Sequence, residues 1–377
     1  MKQNILIFST SRADYGILEN LCISLSKNKK VKFFLGLTGT HFSKKYGYTS
    51  ENISKKINKK NILQIKNINF TSDNSEVVAK NILNIQKHVL IFLKKRNIDK
   101  LIVLGDRYEL LGICIPFFFK KIPIYHLHGG EETKGSYDNE IRKVISLISK
   151  VHFTVNDFYK NNLINFLNIK KNIYNFGSLA AEDIKKSKSF YTKKVIEKKF
   201  KVKFSDRNII ISLHPETNNL NNHKKNIDNF FQFLKNIKKT NIFFTSPGHD
   251  TGSIYIIQKI KKLIQSNNNF YYVNSFGKKY YFSMLKICDC LIGNSSSGIL
   301  EAPSFKIPVL NIGNRQLGRI QSKNIINSSY MVKDLNKKIN IALSIKFKKS
   351  LKNLKFEYYK KNTLNNIQKI IMKDLYE

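Results

Sequence analysis

The residues of this chain best suited to proton chemistry lie in one short stretch. His126-Leu127-His128-Gly129-Gly130-Glu131 is followed by Asp138 and Arg142, and an earlier segment supplies Gly105-Asp106-Arg107. Carboxylates crowded beside imidazoles acquire pKa values pushed apart by burial and by neighbours, as a reaction that removes and returns a proton near neutral pH requires. Asp106, Glu131, Asp138 and, further on, His214 form the candidate acid–base set, with His126, His128 and His249 as additional polar groups. Asp138 and Arg142, four residues apart, are also spaced to form an ordinary ion pair at a helix start.

A second kind of chemistry is written in Gly293-Asn294-Ser295-Ser296-Ser297-Gly298, with Glu301 one turn beyond. Small hydroxyl residues between a strand and a helix start offer hydroxyls and free backbone N–H groups to an anion such as a phosphate, and Ser295 and Ser296 are the candidates. The same serines could merely cap the helix. Glu301 is placed to accept hydrogen bonds from sugar hydroxyls. Arg12, Arg107, Arg315 and Arg319 stand out in a chain whose basic residues are mostly Lys, and each follows an apolar run. A guanidinium there suits two-pronged recognition of a diphosphate. No Gly-x-Gly-x-x-Gly fingerprint or Walker loop is present, which disfavours NAD and ATP, and no His-Glu-x-x-His or cysteine cluster offers metal ligation. Neither metal nor cofactor is expected.

These residues need elements that bring them to one edge. Short apolar runs at 5–9, 31–37, 101–104, 122–125, 151–155 and 173–176 read as buried strands, and those at 208–213, 241–245, 270–273, 290–292 and 309–312 repeat the pattern. Helical periodicity lies between many of them, at 17–25, 76–96, 108–120 and 140–150, and again over 353–376. Alternation at this spacing predicts two α/β, Rossmann-like domains with parallel sheets, whose strand ends carry the polar loops and face a ligand cleft between the domains. The Lys-rich stretch after Gly177-Ser178 marks the expected boundary, giving domains at 1–178 and 179–352 and a C-terminal helix at 353–377.

Composition bounds the rest. The chain has 377 residues and a formal net charge of +40, but the excess is Lys dispersed along the whole length. No RNA-recognition signature, zinc-finger spacing or Arg-rich stripe accompanies it, so a solvated Lys-coated surface is expected and no nucleic-acid partner. Cys22, Cys114, Cys288 and Cys290 lie mostly in apolar runs, and Cys288-Asp289-Cys290 is too tightly spaced for the usual zinc or redox pair. No apolar stretch is long enough for a signal peptide or a membrane span, and the expected setting is the cytoplasm.

Taken in order, the motifs resemble a known family. Ser11-Arg12-Ala13-Asp14-Tyr15-Gly16, Gly105-Asp106-Arg107-Tyr108-Glu109, the His126–Glu131 run, Tyr137-Asp138 with Arg142, Gly177-Ser178-Leu179, His214-Pro215-Glu216-Thr217, Asp250-Thr251-Gly252-Ser253, Asn294 to Gly298 with Glu301, and Asn311 to Gln316 are similar to the hydrolysing UDP-N-acetylglucosamine 2-epimerases of bacterial sialic acid synthesis. The resemblance runs from residue 2 to residue 319. It implies a GT-B-like fold and a metal-independent reaction giving UDP and N-acetylmannosamine, by elimination to a 2-acetamidoglucal and then hydration. By matching position it implies Asp106, Glu131, Asp138 and His214 as the catalytic set. Arg12, Arg107, His128, Ser295, Ser296, Glu301 and Arg315 or Arg319 would bind the UDP-sugar.

The resemblance also implies a homo-oligomer, a dimer or tetramer. A relative in legionaminic acid synthesis, acting on UDP-2,4-diacetamido-2,4,6-trideoxyglucose, is the alternative, and a GT-B glycosyltransferase a more distant one. Lys143 stands where family members commonly carry His. A lysine is a donor with no acceptor, so the difference bears on which sugar is accepted.

Overall fold

A computed structural model of the chain describes residues 2–43, 48–54, 56–66, 68, 74–133, 137–187, 189–248 and 250–373. His249 and residues 134–136 lie outside the described residues. The chain divides into two compact units. The first comprises Met1–Glu131, Asp138–Glu182 and Tyr358–Glu377, the second Glu132–Tyr137 and Asp183–Glu357.

The first unit is built on a seven-stranded sheet in the order β3-β2-β1-β4-β5-β6-β7. Its strands are β1 (Gln3–Ser9), β2 (Val31–Leu37), β3 (Ile62–Gln64), β4 (Lys100–Leu104), β5 (Ile124–Leu127), β6 (Val151–Thr154) and β7 (Ile173–Asn175), all paired in parallel. The second unit repeats the plan with six strands, β8 (Asn208–Ser212), β9 (Asn241–Thr245), β10 (Phe270–Val273), β11 (Cys290–Gly293), β12 (Val309–Ile312) and β13 (Ile325–Ser328), ordered β10-β9-β8-β11-β12-β13. In both sheets the strand order reverses beside the first strand, where doubly wound folds bind ligands at the carboxyl ends.

Strands of parallel sheets are covered on both faces and therefore read as unbroken apolar runs. The second sheet shows the consequence residue by residue. Ile209 and Ile211 enter the core beneath the helices His223–Lys235 and Ser253–Gln265, whereas Ile210 between them enters the opposite core with Phe282 and Met284. Ile242 and Phe244 separate from Phe243 in the same way. In the first unit Ile5 and Ile7 pack on Leu18, Leu21 and Leu25 of the helix Arg12–Lys27, together with Ile367 and Ile371 of the helix Thr363–Met372.

Several boundaries differ from the sequence reading, for physical reasons. β5 begins at Ile124 rather than 122, because Pro123 has no N–H to give the ladder, and it runs on to take His126 into the sheet. The first helix begins at Arg12, five residues before its apolar periodicity, since Ser11 caps it by accepting from Asp14 N–H at 3.2 Å. The helix expected over 140–150 starts at Asp138 and ends at Leu147. β3 and β13 are edge strands of three and four residues, too short for a periodicity to declare.

Among the described residues of the span 353–376 the expected helix forms over Thr363–Met372, and the chain from Tyr358 is part of the first unit instead of a separate appendage. It is anchored there by Ser178 N–H on the Tyr358 carbonyl (2.8 Å), Leu364 N–H on Glu182 (2.9 Å) and Lys100 Nζ on the Ile371 carbonyl (2.6 Å). The change of unit falls after Glu182, four residues beyond the expected Ser178.

Buried imidazoles tie the first sheet to pH. His126 and His152 are register partners on β5 and β6, and both are fully buried, as is His41. Burial pushes His126 down to about 4 and the other two down to about 3. The unfolded chain's imidazoles titrate near about 6.5. Below that value the unfolded state takes up protons that the folded state refuses. The stability these groups contribute is thus complete above about 6.5 and is lost as the pH falls, toward about 4 for His126 and about 3 for His41 and His152. The urea midpoint should drop steeply across that window, and His126→Gln should flatten the drop; an unchanged slope would refute the assignment.

Candidate active site

In the first unit the polar groups gather where β1, β2, β4 and β5 end. After β4, Gly105 turns the chain with φ +79°, and Asp106 follows half-buried. After β5 the turn is made by His128 at φ +66°, a left-handed conformation that costs a non-glycine residue on the order of 1 kcal/mol. Strain of this kind persists only where surrounding contacts enforce it. Here His128 N–H is bonded to the Phe153 carbonyl at 2.8 Å, and its Nδ1 lies 2.8 Å from Oε1 of Glu131. Gly130 is required next, since a Cβ there would meet the Tyr159 carbonyl oxygen at 2.3 Å.

Arg142 joins these strand ends. Its side chain is 2% exposed, one guanidinium nitrogen is paired with the Asp106 carboxylate, and another donates to the Glu131 carbonyl at 2.6 Å. His126 supports the same arrangement from below. Its Nε2–H donates to the Gly105 carbonyl at 2.7 Å while Nδ1 accepts from Ser146 at 3.1 Å, which sets the tautomer and pins the peptide leading into Asp106. Asp106, Arg142, Glu131 and His128 thus form a chain of contacts, Asp106 to Arg142, Arg142 to the Glu131 backbone, and the Glu131 carboxylate to His128. Asp138 opens the helix that carries Arg142, one turn earlier on a similar face, where free helix N–H groups favour a carboxylate.

The remaining strand ends are equally polar. Arg12 lies half-buried in the first turn of its helix, beside the Thr10–Asp14 hydrogen bond of 2.6 Å. Arg107 is held by Glu109 at 3.2 Å, and burial raises the pKa of that carboxyl against the pull of the guanidinium. His41 donates through Nε2 to Ser9 at 2.9 Å and accepts at Nδ1 from Thr49 at 2.7 Å. Lys143 is exposed on the outer face of the Asp138 helix, 5.9 Å from the Phe166 ring centroid, whereas its neighbours Ile141, Arg142 and Ile145 are buried.

The second unit places its own set at the ends of β8, β9, β11 and β12. His214 follows β8, and its Nδ1 accepts the Gly248 N–H at 3.1 Å. Asn294, fully buried after β11, exchanges two hydrogen bonds with the His214 backbone. Arg315 donates to the Asn294 carbonyl at 3.4 Å, and Glu216 shapes the turn before it by accepting Asn314 N–H at 2.8 Å. Arg319 lies half-buried in the same loop. Ser295 and Ser296 are half-buried; Ser296 makes no capping hydrogen bond, and Ser295 receives only a 3.4 Å contact from Ser297 N–H.

The helix expected behind these serines is a single turn, Ser297–Leu300, because Pro303 diverts the chain into a 3-10 turn. Its dipole is correspondingly small, so hydroxyls and local N–H groups must do most of the anion binding. Burial pushes Glu301 up to about 7, partly offset by the Lys278 charge.

Sequence spacing overlooked Arg142 as a bridge, together with Glu109, His41 and Asn294. Only the appearance of Arg142, Glu109 and Asn294 beside catalytic-type residues in the motifs signalled them. The four cysteines are free and buried. Among the described residues no group of three or more His, Cys, Asp or Glu side chains is placed to hold a metal ion, and no helix is long and apolar enough to cross a membrane.

Two doubly wound parallel sheets, each with charged groups at its carboxyl edge, define an α/β protein of the kind that handles nucleotide-linked substrates. Residues 23–372 match the model of the UDP-N-acetylglucosamine 2-epimerase family. The chain is 34% identical to the GDP/UDP-N,N'-diacetylbacillosamine 2-epimerase (hydrolyzing) of Campylobacter jejuni, over 93% of this chain and 90% of that protein. It is 32% identical to the polysialic acid biosynthesis protein P7 of Escherichia coli, over 98% and 93%. Its fold matches the crystal structure of UDP-GlcNAc 2-epimerase from Neisseria meningitidis bound to UDP-GlcNAc with a TM-score of 0.79 at 16% identity, covering 99% of this chain and 100% of that one. The chain belongs to the UDP-N-acetylglucosamine 2-epimerase family.

Proposed function

We propose that this protein is a hydrolysing 2-epimerase of a UDP-linked 2-acetamido sugar, with UDP-N-acetylglucosamine as substrate and UDP and N-acetylmannosamine as products. The observation that carries the reading is the link from Asp106 to the Glu131 backbone through the buried Arg142, with His128 on the Glu131 carboxylate, at the ends of β4 and β5 in a chain of this family. In the first half-reaction a carboxylate, Asp138 or Glu131, takes the proton from C2. The electrons of that bond form C1=C2, and the C1–O bond to the β-phosphate breaks. In the second half-reaction a carboxyl returns a proton to the opposite face of C2 while water adds to C1. Asp106 and Arg142 hold the two carboxyl-bearing loops in register, and His214 donates a hydrogen bond to the departing diphosphate. Arg12, Arg107, His128, Ser295, Ser296, Arg315 and Arg319 bind the UDP-sugar, and Glu301 takes the ribose hydroxyls.

A second substrate, UDP-2,4-diacetamido-2,4,6-trideoxyglucose, is favoured by the similarity to the Campylobacter jejuni protein. Proton NMR in D2O with each sugar nucleotide in turn separates the readings. Free UDP and the free 2-epimer carrying deuterium at C2 are expected from one of them. A UDP-linked 2-epimer would instead indicate the non-hydrolysing reaction, and turnover only with added acceptor a glycosyltransferase. Inertness toward both sugars would overturn the proposal.

The Glu301 assignment predicts a pH dependence of binding. A carboxyl held at about 7 must lose its proton to accept two hydroxyls, so nucleotide affinity should rise between about pH 6 and 8 with release of a proton. Calorimetric titration with UDP-glucose, whose phosphodiester groups do not titrate in this range, in buffers of different ionisation enthalpy reads that proton. Glu301→Gln should bind with no pH dependence; an unchanged dependence would remove Glu301 from the site.

A further inference from the structure

We propose that Asn294 is a positioning residue that fixes His214 for the departing diphosphate and ties it to the Arg315 loop, an inference resting on the role proposed for His214. Asn294 reaches β8 because Gly293, at φ +139°, lies against the Ser212 carbonyl, where a Cβ would approach to 2.0 Å. Its side-chain amide then brackets His214, with a longer 3.4 Å bond from Nδ2 to the Tyr330 hydroxyl. Oδ1 accepts His214 N–H at 2.7 Å, and Nδ2 donates to the His214 carbonyl at 2.9 Å. Bonds to the two peptide units that flank its Cα leave the His214 backbone little torsional freedom.

The ring is constrained from the other side. Gly248 N–H donates into Nδ1 at 3.1 Å, so the lone pair sits on Nδ1 and the proton on Nε2. With backbone and tautomer both set, His214 presents an N–H donor in one direction. The Asn294 carbonyl meanwhile accepts from Gln316 Nε2 at 2.8 Å and from the Arg315 guanidinium at 3.4 Å. One fully buried residue thus links the ends of β8, β11 and β12. No other side chain substitutes for it: Asp lacks the donor for the His214 carbonyl, Ser is too short to span both groups, and Gln carries one methylene too many for a buried site.

The test compares Asn294→Asp and Asn294→Ser with the native chain, each checked for folding by thermal melting. Turnover should fall about 30-fold, while UDP affinity should change less than about 3-fold because the backbone carbonyl that meets Arg315 survives the substitution. On a His214→Ala background the same substitutions should cost nothing further in turnover. Without the Asn294 bonds the His214 backbone no longer holds the ring against Gly248 N–H, so in long-range nitrogen–proton correlation spectra His214 should be a single Nε2–H tautomer in the native chain and a mixture in the variants. Equal losses with and without His214, or an unaltered His214 tautomer in a folded variant, would overturn the proposal. The tautomer is read without turnover, so a chain inert toward nucleotide sugars would count against the proposed reaction and leave this test intact.

Discussion

Arg142→Lys is expected to lower turnover by about 100-fold, with a much smaller change in KM. The guanidinium reaches the Asp106 carboxylate and the Glu131 carbonyl at once, from a position with 2% exposure. A lysine keeps the charge and three donors, but they sit on one nitrogen of a flexible stem and do not reproduce the spacing of the two guanidinium nitrogens, so both partners are not held at their present separation. One strand end then drifts, and misplacement of a reacting group by about 1 Å costs on the order of 100-fold. Arg142→Ala should be worse, because it leaves the Asp106 carboxylate in a half-buried site without its partner. Removing one member of a buried pair costs on the order of 3 kcal/mol. Steady-state kinetics beside urea titrations separate the two effects. A folded Arg142→Lys variant with native turnover would show that the bridge has no bearing on the chemistry.

Asp138→Asn and Glu131→Gln are each expected to reduce overall turnover by about 100- to 10,000-fold, the range for loss of a general acid or base. The two should fail differently. The variant lacking the base for C2 should release no UDP, whereas the variant lacking the acid for hydration should release UDP and accumulate the 2-acetamidoglucal. Phosphorus NMR follows the first event, and the vinylic proton signal the second. His128 bonded to Glu131 gives that carboxyl a route to a proton. Glu131→Gln is therefore the variant expected to accumulate the glucal. Full rates of UDP release and hydration with Asp138→Asn would end its acid–base role.

Much of the sheet architecture was legible because buried parallel strands cannot hide: Ile5 to Phe8 or Ile209 to Ile211 have no polar face to disguise them. The errors fell where local chemistry outranked hydrophobicity. Pro123 moved a strand start, Ser11 moved a helix start, and the edge strands Ile62–Gln64 and Ile325–Ser328 were too short to register.

The site divided along the same line. Asp106 and Glu131 were visible as strand-end carboxylates. Their meeting through Arg142 depends on the pairing of Leu104 with Leu127 across β4 and β5, which no local pattern encodes. Asn294 was equally opaque, since an asparagine in a serine loop reads as loop composition until its two bonds to His214 are seen. Lys143 is the converse case. It stood out in the sequence as a departure from the family pattern, and it lies on the exposed side of its helix, over Phe166.

The return of the chain to the first unit at Tyr358 has a consequence for biosynthesis. The second unit draws Asp183–Glu357 from one unbroken stretch and needs little else, while the first cannot close its core until Ile367 and Ile371 have been made. Lys100 waits for the Ile371 carbonyl across 271 residues of chain. At roughly 5–20 residues per second, a ribosome takes on the order of 10–35 s to travel from Glu182 to Tyr358. Through that interval the helix Arg12–Lys27 and the sheet under it carry an uncovered apolar flank, so the half of the protein translated first is the half that matures last, and the nascent chain is most exposed to chaperones and to aggregation at its oldest end.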